Sequence, residues 1–137
     1  MNWRIACLAH SRKQDSFENT KKIVKHMPFP EFLKRSRCIL GEGAVIGCLR
    51  RNSNFELDPH IVNSAFIDDE VKCAVLADIC REYLDIGFEQ GLPLILSTPT
   101  WRASRERIAA AGYEGMDVNG DNFRFLDGLR SSYGDYA

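Results

Sequence analysis

The chain has 137 residues, 18 Lys+Arg against 19 Asp+Glu, a net charge of -1 and 45% hydrophobic residues. That length points to one domain, the balanced charge excludes a strong field for nucleic acid or anionic lipid, and no apolar run approaches the roughly 20 residues of a membrane span. Mixed charge with ordinary apolar content excludes a disordered chain and predicts a globular protein.

Five cysteines, Cys7, Cys38, Cys48, Cys73 and Cys80, form no CxxC pair, and their number is odd. The apolar stretch Ile5 to Ala9 is too short for a secretory segment and runs into Arg12 and Lys13. The expectation is a cytoplasmic protein with free thiols acting as small hydrophobes, without a disulfide framework.

Residues 1–34 are rich in Lys and Arg, and Met27-Pro28-Phe29-Pro30 interrupts any helix begun near Ser16. They are expected to be a poorly ordered extension preceding a domain at 35–137. A short helix over 30–37 then feeds a strand over 38–41. Residues 44–51 suit a helix in which Val45, Cys48 and Leu49 share a face while Arg50 and Arg51 meet water. Asp58-Pro59 predicts a capped short helix through about Asn63. The strongest signal is a helix from Asp69 to about Gln90. Val71, Val75, Ile79 and Tyr83 repeat every four residues, with Leu76, Cys80 and Leu84 beside them. Acidic residues 68–70 suit its start and Gly91 its end.

The unbroken run Pro93-Leu94-Ile95-Leu96-Ser97 predicts a parallel strand covered on both faces. Ser104 is positioned to cap a helix stopped by Gly112, and Asn119 to cap a last one in which Phe123, Leu126 and Leu129 or Arg130 recur at helical spacing. The segment 131–137 reads as a connection with nothing apolar to anchor it.

Two strand ends carry the candidate chemistry. Gly41-Glu42-Gly43-Ala44 combines small residues, which let a ligand approach the backbone, with a carboxylate suited to a ligand ammonium. It is no phosphate loop, since Ile46 stands where GxGxxG needs glycine. Thr98-Pro99-Thr100-Trp101 offers two hydroxyls and an indole. Both segments also suit plain turns, with Glu42 solvated and Trp101 in the core. His10, His26 and His60 lack metal-ligand spacing. Arg102, Arg105 and Arg107 read as a solvated face, and 117–122 as a helix cap with its turn rather than a cation loop.

With these strand ends in place, residues 36–137 resemble the N-terminal part of the homocysteine S-methyltransferase family, which includes betaine–homocysteine methyltransferase. Members open with a strand ending Asp-Gly-Gly or a near variant, where Gly41-Glu42-Gly43-Ala44 stands here. A long helix then leads to a strand ending Thr-Asn-Thr-aromatic, matched by Tyr83-Leu84-Asp85-Ile86-Gly87 and Ser97-Thr98-Pro99-Thr100-Trp101-Arg102-Ala103. Ala109-Ala110, Gly112 and Val118-Asn119 through Leu129 resemble the helical stretch that follows. Glu42 replaces the usual Asp and Pro99 the usual Asn.

The resemblance implies an α/β fold, an incomplete (βα)8 TIM barrel comprising the first two βα units with extra helices. It implies transfer of a methyl group from a small donor to homocysteine or a similar thiol. Glu42, Gly43, Ala44, Thr98, Thr100 and Trp101 would face the substrate. In the full-length family zinc held by three cysteine thiolates activates the thiol. Those cysteines lie in later strands, including a Gly-Gly-Cys-Cys segment that this sequence lacks. No zinc is therefore expected in this chain, and no activity from it alone. The alternative is a non-catalytic binding or assembly module. Open sheet edges make self-association a further expectation.

Overall fold

The structure is a computed structural model that describes residues 29–52 and 55–136. Helix α1 (Phe29–Arg35) leads into a two-residue strand, β1 (Leu40–Gly41), and helix α2 (Val45–Asn52) follows. Residues 1–28, with the helix expected near Ser16, His10, His26 and most of the expected extension, lie outside the described residues. α1 itself crosses the boundary expected at 34/35. In α2, Leu49 is fully buried and Val45 and Cys48 pack on the core, while Arg50 and Arg51 are exposed, as the pattern predicts.

The expected helix after Pro59 does not form. The Asp58 carboxylate accepts from the backbone N–H groups of His60 and Ile61 at 2.7 and 2.9 Å, as a cap would. The chain then closes on itself: Asp58 and Val62 exchange backbone hydrogen bonds at 2.9 and 3.0 Å, and Val62 takes a positive φ of 57°. A β-branched residue in the left-handed region ends helical propagation there. One 3-10 turn (Phe66–Asp68) precedes the long helix.

Helix α3 (Glu70–Gln90) has both ends closed locally. The Asp69 carboxylate accepts from the N–H groups of Val71 and Lys72, each at 3.0 Å. At the other end Gly91 adopts φ 61°, and Leu92 N–H returns to the Gly87 carbonyl at 3.0 Å. Cys73, Leu76, Ala77, Ile79, Cys80, Leu84 and Gly87 are buried. The inward stripe is thus rotated from the expected one, because Val71, on the first turn, is 61% exposed. A stripe about a third of the circumference wide accepts either rotation, and the neighbouring elements select one.

Strand β2 (Leu94–Ile95) pairs parallel with β1 in the register Leu40↔Leu94 and Gly41↔Ile95. Leu40 N–H donates to Pro93 O at 2.8 Å and Glu42 N–H to Ile95 O at 3.2 Å. Both strands are shorter than the expected 38–41 and 93–97. Leu94 and Leu96 pack on the core, but Ile95 is 43% exposed. Side chains alternate across a strand, so a helix layer on one face covers every second residue, not the whole run. The described fold is therefore helix-rich, with a two-stranded parallel sheet.

Helix α4 (Arg105–Ala110) starts at Ser104, whose hydroxyl accepts from Arg107 N–H at 3.4 Å, and Gly112 follows with φ 81°. Helix α5 (Val118–Ser131) is capped by Asp117, not Asn119: the Asp117 carboxylate accepts from Gly120 N–H at 3.1 Å. A carboxylate at the start also satisfies the helix dipole. The inward face of α5 runs through Val118, Asn122, Phe125 and Leu129, while Phe123 is 60% exposed. Asn122 is fully buried. Its amide donates to the Val118 and Ser64 carbonyls, both at 2.8 Å, tying α5 to the 58–65 loop.

The segment after α5 is anchored, against expectation. A 3-10 turn (Gly134–Tyr136) lets Tyr133 and Tyr136 pack on the core. The Tyr133 hydroxyl donates to Asp85 at 2.7 Å and that of Tyr136 to Leu92 O at 2.8 Å. Tyrosines bury a ring while their hydroxyls find partners, so they serve as anchors that a search for aliphatic residues overlooks. Cys73 is disulfide-bonded, which corrects the expectation of five free thiols, while Cys38, Cys48 and Cys80 are free. Burial had fitted Cys73 equally well as a lone thiol, and pairing is a property of spatial proximity rather than of spacing.

Candidate functional site: the carboxyl ends of the two strands

Parallel pairing places the carboxyl ends of β1 and β2 side by side. Glu42 directly follows β1, and its side chain crosses to the second strand end, where Oε2 accepts from Ser97 N–H at 3.2 Å. A charge-assisted bond to a backbone donor fixes the carboxylate over the turn that carries the threonines.

Beyond Ser97 the chain turns sharply. Thr100 N–H donates to Thr98 O at 2.7 Å around the buried Pro99, and Ala103 N–H donates to Thr100 O at 3.0 Å. The Thr98 and Thr100 hydroxyls lie 2.9 Å apart, hydrogen-bonded to each other and part-buried. One hydroxyl of such a pair donates to the other, which leaves the second O–H and the remaining lone pairs for a ligand. Proline suits this place because the turn needs no N–H from residue 99.

Trp101 is 57% exposed. The reading of Trp101 as a core aromatic fails: Arg102 takes φ 67°, and the turn carries the indole outward before Ala103 returns to the core at 7% exposure. The Asn119 amide donates to Ala103 O at 3.1 Å, so α5 holds the end of this turn. Arg102 and Arg105 are exposed and Arg107 is half-buried.

Gly43 and Ala44 are exposed and form the lip beside Glu42. Thus Glu42, Gly43 and Ala44 lie on one strand end and Thr98, Thr100 and Trp101 on the other, joined by the Glu42–Ser97 bond. Together they present a carboxylate, paired hydroxyls, accessible backbone and an indole. That set suits a small polar ligand carrying a positive charge.

Tyr83 was expected only as a member of the inward stripe of α3, yet it reaches this site. A Cβ placed on Gly43 would lie 2.5 Å from the Tyr83 hydroxyl oxygen. Burial first, then the Cys48 thiol beside it and the Glu42 charge, push the Tyr83 hydroxyl above the usual tyrosine range. Deeper in α3, burial and the Glu42 charge push the Cys80 thiol up to about 12. The i, i+3 spacing of Cys80 and Tyr83 hinted that they share a face, but nothing in the sequence aimed that face at residue 42.

The donors among the described residues do not fit a zinc–thiolate centre. Cys80 is held as a thiol, Cys73 is in a disulfide and Cys38 is exposed on the approach to β1. Among the described residues no three His, Cys, Asp or Glu side chains converge to hold a metal. A separate concavity of about 660 Å³ involves Arg105, Ile108, Ala109 and Met116 and none of the six candidate residues. Its lining also includes Glu114, Asp117 and Asn119. No helix among the described residues is long and apolar enough to cross a membrane.

No family model matches the chain, and no curated protein or solved structure matches it.

Proposed function

We propose that this chain supplies the substrate-contacting edge of a homocysteine S-methyltransferase-like site. The observation that carries the proposal is the Glu42–Ser97 hydrogen bond at 3.2 Å across two parallel strand ends. Consecutive parallel strands with functional residues at their carboxyl ends are how a βα barrel assembles a site. The sequence order of strand, Glu-Gly-Ala, long helix, strand and Thr-Pro-Thr-Trp supports the same assignment.

In this role Glu42 binds the ammonium of an amino-acid thiol, and Gly43 and Ala44 let its backbone approach. Thr98 and Thr100 hydrogen-bond its polar end, and Trp101 covers it. Zinc, where bound in the family, supplies an activated thiolate. Among the described residues no thiol cluster forms that centre, so no methyl-transfer step is derived from these residues alone.

Titration of the full chain with L-homocysteine, followed by amide NMR, tests the proposal. The expected result is movement of resonances confined to 42–44 and 97–101, with E42Q weakening binding about tenfold or more, the size of one charge-assisted hydrogen bond. Unchanged spectra at millimolar thiol, or movement elsewhere, would sink it. Methyl transfer by the chain alone from betaine or S-methylmethionine would refute the division of labour between this edge and the metal centre.

A binding or assembly role is favoured instead by the exposure of Ile95 and Trp101 beside the short sheet. Sedimentation separates the two: concentration-dependent association abolished by I95S supports assembly, and a monomer at all concentrations excludes it.

A further inference from the structure

We infer that Tyr83 is a positioning residue of the strand-end site, acting through Gly43 to keep the Glu42 carboxylate on the Ser97 amide. It lies on α3, 40 residues from Gly43, and is half-buried with the core cluster on one side. Its hydroxyl oxygen occupies the space that a Cβ of residue 43 would need, at 2.5 Å, and the ring atoms behind it would lie at 3.2 and 3.3 Å. Contacts below about 3 Å are not accommodated without movement of the turn or of the half-buried tyrosine, and the packing of its ring on the core cluster opposes the second.

Gly43 is therefore glycine for space. The ring packs against its backbone, and a larger residue would force the turn and the tyrosine apart. Glu42 is the adjacent residue, fixed on its other side by its own N–H to Ile95 O at 3.2 Å. A turn pinned at 42 by the sheet and at 43 by the ring leaves the Glu42 side chain few directions, and the direction seen is toward Ser97. Preorganisation of this kind lowers the ordering cost when a ligand binds.

That Tyr83 matters to a ligand rests on the function proposed above; its hold on the turn does not. The test is a cycle of full-length variants, Y83F, G43A and Y83F/G43A. Amide hydrogen exchange is read at Ser97, which reports the Glu42 bond, and at Leu40, which reports the sheet through Pro93 O. Y83F is expected to speed exchange at Ser97 about threefold while Leu40 keeps its protection. G43A is expected to speed it about tenfold or more with Tyr83 present, and much less in the Y83F background, where the obstructing oxygen is gone.

Equal effects of G43A in both backgrounds would overturn the inference. So would parallel losses at Ser97 and Leu40 in Y83F, which indicate a general loosening of the core. Homocysteine titration of Y83F then separates the two claims. A cycle that behaves as expected without any thiol binding to the unmodified chain leaves Tyr83 as the anchor of the turn and removes the function proposed for it.

Discussion

Helix α3 spans 21 residues and both its ends are closed by neighbours in sequence, Asp69 at the start and Gly91 at the finish. The strand-end turns lie 55 residues apart in sequence and meet through one exposed side-chain bond, Glu42 to Ser97. Among the described residues the helix carries six of the fifteen buried hydrophobic residues, more than any other element, whereas the turns carry polar groups half-open to water. Stability and candidate chemistry are thus divided between two regions, and Tyr83 is where they touch.

Replacing a core residue of α3 should have the largest effect. Leu76 is fully buried, and L76A should cost about 2–5 kcal/mol through lost burial and the cavity left behind. Chemical denaturation measures this, and a loss below about 1 kcal/mol would show that the helix is not the centre of the core. A domain of this size has only about 5–15 kcal/mol to lose.

Cys80 links the two regions electrostatically. Its folded-state pKa, about 12, lies above the ordinary 9.0. Below pH 9 the thiol is protonated in both states and titration adds nothing. Above pH 9 the unfolded thiol ionises first, the folded state holds more protons, and stability falls with a slope approaching about 1.4 kcal/mol per pH unit toward pH 12. Melting curves of wild type and C80A across that range should converge as pH rises. Curves that remain parallel would remove Cys80 as the source.

The N-cap gives a smaller effect. D69A should cost about 1 kcal/mol by leaving the Val71 and Lys72 N–H groups without their carboxylate, while exchange at Ser97 stays as in the wild type. Equal disturbance at both places would erase the distinction between the regions. Smallest of all, V71S should change stability by less than about 0.5 kcal/mol, since Val71 is 61% exposed. A loss above 1 kcal/mol would restore Val71 to the inward stripe that the sequence pattern assigns it.

Local signals were the most legible part of the fold. Gly91, Ser104 and Gly112 act where the sequence places them, because a cap depends on residues within three or four positions, while Asp69, read as a dipole-favoured acid at the start, serves as the cap itself. Errors arose where two solutions were locally equivalent. Asp117 and Asn119 are both good caps, and Phe123 and Phe125 both stand at helical spacing from later leucines, but Asp117 caps α5 and Phe125 is the buried one. Asp58-Pro59 has the chemistry of a helix start, but its turn closes through Val62 instead.

For the site, residue types and their order along the chain pointed to Glu42, Gly43, Ala44, Thr98, Thr100 and Trp101 without the structure. That Glu42 bonds Ser97, that the two threonine hydroxyls pair and that Trp101 faces outward came only with the coordinates.

The sequence by itself determined the long helix, its Gly91 stop and the existence of two apolar strands, because periodicity and capping are short-range properties. Tertiary structure decided which face of each helix turns inward, that the strands pair in the register Leu40↔Leu94, and that a tyrosine from α3 sits against Gly43. Those outcomes depend on which distant surfaces exclude water together, and that competition is settled by the whole chain at once.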